Sequence, residues 1–403
     1  MGYLLSLVLA ILFAAYSLVT MMTIVLWRKN PTIDINRATD KINFALCGVL
    51  TVCAWFFQQS TYVDLDRMME EIGQGPDLLL KLYGSQPLSF VLLMIGYWTG
   101  DRRVLQVIGC ALTYGLAMVI IVELKKMLHP DPITAFLGTM LYLIRPGFVT
   151  AVTNIRFWIA VELLLLAGVI WLKRKRWQLP VCLIVTGILL HSGVIPVIMG
   201  FAIAMISSRF LFVFLCVIAV LYSAFLGQII DFLSSFGVTF FDYVSTRMAA
   251  YYGVGMSQGS YDAEMLEAGG NVLGIRMLCI IIPMVLLYFI FRSSLSQVLP
   301  ARMERFIIFE LVFVAGSSQS YTVFIRYTML ALYLMIPVIF CYLNHFFIND
   351  CHVSGMQKNN NGKAVRSFAS LMAKPLFLFL LLALFFLLLC QWHNAYYSSV
   401  LIF

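Results

Sequence analysis

Residues 154–192 read NIRFWIAVELLLLAGVIWLKRKRWQLPVCLIVTGILLHS, and the rest of the chain is placed relative to this stretch. Arg156 opens an apolar helix, the cationic block Lys173 to Arg176 closes it, and a second apolar run returns to His191. Lys and Arg are enriched in the short cytoplasmic loops of membrane proteins, so the block is expected inside, with Arg156 and His191 toward the opposite face. An arginine is costly to bury at the edge of hydrocarbon, so an anionic partner is expected where these two side chains converge.

Composition sets the broad class. Hydrophobic residues make up 62%, charged residues 11%, and mean hydropathy is +0.93, against about 25% charged residues in soluble domains. The expectation is an all-α, polytopic integral membrane protein with about 10–12 transmembrane helices. A net charge of +8 would suggest nucleic acid in a soluble domain, but here it is assigned to inner loops, so no nucleic-acid partner is expected. Eight of the nine cysteines sit in apolar runs and Cys351 in a basic loop. That distribution suits small buried apolar groups rather than disulfides or a metal cluster. The apolar start from Tyr3 to Trp27 lacks a basic leader and reads as a retained span rather than a cleaved signal. Met1-Gly2 with Ser6 fits the myristoylation pattern, but an acyl chain adds little to a chain with many spans.

Charge in the connections orders the topology. The loop from Arg28 to Lys41 is basic and reads as inner; residues 59–86 carry Asp64, Asp66, Glu70, Glu71 and Asp77 against Arg67 and Lys81 and read as an outer loop. The run from Pro87 to Trp98 is about half the length of a crossing. It is expected to be re-entrant or interfacial, because a full crossing would put Lys173 to Arg176 outside. The outward helix over 133–150 should break at Pro146-Gly147. Residues 179–208 are expected to form a short hairpin with His191 near its tip and Gly193 and Pro196 at the bend. The acidic stretch 231–271 reads as an outer loop and 349–374, with Asn359-Asn360-Asn361-Gly362, as an inner linker. The whole, 1–403, is then a single polytopic domain with both termini outside.

Arg156, Arg326 and Arg145 fall at the outer ends of separate spans, and guanidinium forks grip phosphate oxygens in bidentate fashion. The alternative for Arg156 and Arg326 is that they snorkel to the interface. His191 suits a cavity wall or a satisfied interior site. Asp64 and Asp66, beside Tyr62, are candidate bases or part of a solvated face; Tyr251 and Tyr252 suit sugar stacking or an aromatic belt. The sequence holds no P-loop, zinc-binding His-Glu-x-x-His or Gly-x-Ser-x-Gly motif.

Asn154-Ile155-Arg156 ahead of an apolar helix with Ala160, the basic block, and Leu189-Leu190-His191-Ser192-Gly193 resemble the central signature of EpsG-like, Wzy-type polysaccharide polymerases. The Tyr62 and Asp64 loop, Gln86-Pro87-Leu88-Ser89-Phe90 and Arg326-Tyr327 extend the similarity over most of the chain. Gln86 stands where that family usually has glutamate, and Phe157 where glutamine commonly follows the arginine. The resemblance implies a GT-C-like membrane glycosyltransferase in a bacterial inner or cytoplasmic membrane. It would polymerise undecaprenyl-diphosphate-linked oligosaccharide repeats into O-antigen, capsule or exopolysaccharide. Arg156, Arg326 and Arg145 would hold the diphosphate, Asp64, Asp66 and His191 would act in catalysis, and Tyr62, Tyr251 and Tyr252 would contact glycan. No metal and no cofactor are implied. Membrane lipid, a flippase and a chain-length regulator are the further implied partners. A lipid-linked oligosaccharide flippase or transporter, or a transferase modifying the same glycan, remains open on sequence.

Overall fold

The computed structural model describes residues 2–29, 34–59, 64–130, 132–144, 147–174, 177–206, 208–237, 301–317, 327, 330 and 399–401. The first part of the chain forms α1 (Gly2–Lys29), α2 (Ile35–Trp55), β1 (Phe57–Gln59), α3 (Asp64–Gly73), α4 (Pro76–Tyr83), α5 (Pro87–Thr99) and α6 (Arg102–Leu128). It continues with α7 (Pro132–Ile144), α8 (Phe148–Thr153), α9 (Ile155–Arg174), α10 (Gln178–Leu190) and a 3-10 turn, Ser192–Val194. Then come α11 (Ile195–Ala204), α12 (Arg209–Leu221), α13 (Leu226–Ser235), α14 (Ala301–Gly316) and β2 (Ser399–Leu401). Two compact units result, Met1–Val194 with Ile339–Phe403, and Ile195–Val338.

In the first unit α9 is the central helix. Its sequence is apolar around most of its circumference, and such a helix must be buried on several sides. Phe157, Trp158, Ile159, Ala160, Val161, Leu164 and Leu165 are all buried. α6 and α10 both pack on α9, while α2 packs on α6 and α1 on α2. Close approach is bought by glycine. A Cβ on Gly109 would meet the Ile155 side chain at 2.6 Å, so α6 lies against the start of α9 as only a residue without a side chain allows. Caps set the junction between α5 and α6. Gly100, at φ 63°, ends α5, and the Asp101 carboxylate accepts from the Arg103 amide to start α6. β1 pairs antiparallel with β2, Gln58 opposite Val400.

The second unit is built on α14, which packs against α11 and α12. Phe201 stacks on Phe306 with centroids 4.1 Å apart, and Phe313 stacks on Tyr222. The Arg305 guanidinium donates to the Ile206 carbonyl and lies over the Phe212 ring. Glu310 is fully buried in α14, with neither carboxylate oxygen hydrogen bonded. Burial pushes its carboxyl well above the usual range. The unfolded chain ionises this group above the ordinary glutamate range while the folded chain resists doing so. Its burial therefore costs least at low pH, and stability falls as pH rises away from the unfolded value. Glu310→Leu is expected to stabilise this unit by about 1–3 kcal/mol at neutral pH and by less in acid. Urea midpoints measured across pH decide this.

The expectation of about ten to twelve spans is corrected here. Among the described residues two helices are long and apolar enough to cross a membrane, Leu7–Trp27 and Arg102–Leu128. The physical reason is length and charge. α5, α10 and α12 have 13 residues each and α11 has 10, well short of the roughly 20 that a 30 Å core demands at 1.5 Å per residue. α2 carries Arg37, Asp40 and Lys41, and α9 carries Arg156, Glu162, Lys173 and Arg174. More than half of the span-like window in α6 is buried inside the protein, as in an ordinary core helix. The polytopic, GT-C-like architecture with a re-entrant helix, and the multi-pass inner-membrane localisation drawn from it, are withdrawn on these grounds. The acidic stretch 231–271, the linker 349–374 and the final apolar run lie largely or wholly outside the described residues.

Candidate functional site

Three chain segments meet at one end of the first unit: 83–89, 156–157 and 190–193. α9 begins at Ile155, and Arg156 in its first turn is 94% buried, with 6% of its surface exposed. Its guanidinium carbon lies 4.5 Å from the centroid of the Tyr83 ring. Among the described residues that guanidinium makes no hydrogen bond and no ion pair. Such a cation–π contact offsets up to about 2 kcal/mol, whereas a desolvated cation costs several. The balance is unfavourable unless an anion completes it. The start of a 20-residue helix adds the positive end of its dipole at the same place.

Tyr83 is held from behind. It closes α4, where its hydroxyl donates to the Glu71 carboxylate of α3 at 2.5 Å. Burial raises its phenol above the ordinary range, Arg156 opposes that rise, and the Glu71 carboxylate adds to it. The phenol therefore stays protonated and acts as a fixed donor. Glu71 also lies 3.9 Å from Arg67 Nε, and Arg67 Nη2 pairs with Asp64 at 2.9 Å. Asp66, two residues on, accepts from Arg102 at 3.2 Å.

The third segment closes the ring. The Gln86 amide nitrogen of the backbone bonds the Tyr83 carbonyl at 2.8 Å, while its side-chain Nε2 donates to Ser192 Oγ at 3.0 Å. Ser89 donates to the Leu190 carbonyl. His191 caps α10 in an extended conformation, its Nδ1 accepts the Gly193 amide at 2.9 Å, and its ring stands edge-on to Phe157, 5.4 Å away. Gln86, which resembled a departure from a family pattern, is thus the tie between α5 and the turn after α10.

Of the residues singled out in the sequence, Arg156 and His191 both lie at this end of the first unit, the His191 ring packing on Phe157, the residue after Arg156. Asp64 and Asp66 lie on α3; Asp64 pairs with Arg67, which approaches Glu71 behind Tyr83, and Asp66 pairs with Arg102. Arg145, Arg326, Tyr62, Tyr251 and Tyr252 lie outside the described residues. Sequence reasoning missed Tyr83, whose position just before Gly84 and Pro87 is a turn signal but says nothing of a cation above its ring. It also passed over Glu162, an acid in the apolar run of α9 that is completely buried.

No protein family, no curated protein and no solved structure matches this chain. The likeness to EpsG-like, Wzy-type polymerases rested on short degenerate motifs, and neither these comparisons nor the helices bear it out. The polymerase assignment, its glycosyltransferase chemistry, its place in O-antigen, capsule or exopolysaccharide synthesis, and the flippase and transferase alternatives all required a many-span scaffold around the site. The described helices do not form one, and those assignments are withdrawn with it.

Proposed function

We propose that the first unit binds an anionic ligand through Arg156, with a phosphate or diphosphate ester as the ligand class. The observation that carries this reading is the buried guanidinium with its hydrogen-bonding capacity unspent among the described residues. A planar fork of N–H donors matches two phosphate oxygens at once. Stacking on Tyr83 fixes the plane of that fork before the ligand arrives, and the Tyr83–Glu71 bond fixes the ring. Pre-ordering of this kind lowers the entropy lost on binding. The undecaprenyl-diphosphate-linked oligosaccharide expected from sequence belongs to this ligand class; within this unit Arg145 would support the diphosphate and Tyr62 its sugars. Asp64 and Asp66 stay candidates for hydroxyl contacts at the α3 side.

Titration calorimetry of the purified full chain with inorganic pyrophosphate tests the reading. Saturable binding that weakens as salt is raised is expected, because part of the attraction is screened. Heats of dilution alone, at protein concentrations that would reveal millimolar affinity, would remove the proposal.

A further inference from the structure

The geometry points to His191 as a positioning residue that makes anion binding at Arg156 sensitive to pH, an inference that rests on the anion-binding reading above. Because His191 Nδ1 accepts the Gly193 amide, that nitrogen carries no proton, and the neutral ring holds its single proton on Nε2. The bond is part of a compact turn. The His191 amide reaches the Gly187 carbonyl at 2.9 Å, the Val194 amide reaches the His191 carbonyl at 3.3 Å, and Ser192 Oγ accepts from Gln86. Through Gln86 the turn is tied to the Tyr83 carbonyl, and through Phe157 the ring touches the residue after Arg156.

Protonation puts a hydrogen on Nδ1, facing the hydrogen on the Gly193 amide. Two donors then oppose each other where one bond stood. Phe157 stands beside the ring. The bond that closes the turn is then lost, which loosens the Ser192–Gln86 tie and with it the segment that carries Tyr83.

Among the described residues the charged groups on the helices around this turn are of both signs: Arg156 opposes protonation of the ring and Glu162 favours it. α9 brings Arg156 at its start and Glu162 further along; α10 brings Cys182 as its titratable side chain, α5 brings Tyr97, and the 3-10 turn brings none. Glu71 reaches this end from α3 and is held by Tyr83 and Arg67. A second cation beside Arg156 would be expected to draw an anion in more strongly. The turn geometry predicts the opposite sign, and that conflict makes the test decisive.

The test uses the full chain and inorganic pyrophosphate. His191→Asn offers an amide oxygen near the place of Nδ1 and does not titrate. Affinity is measured at about pH 7.5 and about pH 5.5, either side of the ordinary histidine value, in wild type and in His191→Asn. Taking the ratio of the two proteins cancels the ligand's own protonation. Wild type should lose about five- to tenfold more affinity on acidification than the variant, the size of one hydrogen bond. Equal losses, or a gain in wild type, would overturn the inference. Nitrogen NMR of the wild-type imidazole gives an independent reading that needs no variant to fold. Coupling across the hydrogen bond from the Gly193 amide to a bare Nδ1 is expected at the higher pH, and a protonated Nδ1 there would also overturn it. Binding of pyrophosphate to neither protein at either pH would sink the anion reading itself, a result distinct from equal slopes.

Discussion

Arg156→Lys is expected to lower pyrophosphate affinity by about one to two orders of magnitude, although it keeps the charge. Lysine presents one ammonium on a flexible stem, so it loses both the parallel pair of N–H donors and the flat surface that lies on Tyr83. Hydrogen bonds to charged groups contribute about 1.5–3 kcal/mol each, and loss of one of two accounts for most of that range. The side chain is too deeply buried for solvent to make up the difference. A control at Arg103, whose side chain is 55% exposed beside Asp101, should change affinity little. Calorimetry on Arg156→Lys, with helix content checked by circular dichroism, gives the answer. Wild-type affinity in that variant would show the arginine to be a structural cation stacked on Tyr83.

The largest expected effect on stability is at Trp158. It is 1% exposed, stands at right angles to the Phe157 ring with centroids 5.4 Å apart, and lies in the helix around which the first unit is assembled. Trp158→Ala leaves a cavity that neighbours in a close-packed interior fill only in part, at a cost of about 3–5 kcal/mol. That is a large share of the roughly 5–15 kcal/mol that holds a domain together. Trp98→Ala removes the same chemistry from a side chain that is 74% exposed and should stay within about 0.5 kcal/mol of wild type. Urea unfolding of the two variants side by side separates burial from residue type. Equal midpoints would contradict the central position of α9.

Local features were legible in the sequence because they depend on neighbours a few residues apart. α7 ends at Ile144 and α8 starts at Phe148, after Gly147 at φ 83°, a backbone region that glycine enters without penalty. The pause at His191 separates α10 from α11. Arg156 and His191 stood out in the sequence because one opens an apolar run and the other ends the next. Number and role of helices were not legible in the same way. Mean hydropathy counts an apolar side chain equally whether it faces a core or the outside, and this chain has both. Trp158 and Leu164 are buried, while Phe210, Val213 and Phe214 on α12 are exposed. Hydropathy therefore read 42–58 and 157–172 as spans, although the first lies largely in a helix that starts at Ile35 and takes in Arg37, Asp40 and Lys41, and the second holds the buried Glu162.

Taken alone, the sequence determined that the chain is helical and apolar and where several helices end. Each of these follows from residue type and short-range spacing. Only the tertiary structure decided that α9 lies at the centre of one unit, because which faces are covered depends on helices far apart in sequence. It alone brought Tyr83 and Glu71 to Arg156, across 73 and 85 residues, and tied Gln86 to Ser192. Contacts at such separations come from how α3, α4 and α5 pack over the ends of α9 and α10, and no local pattern in the chain encodes them.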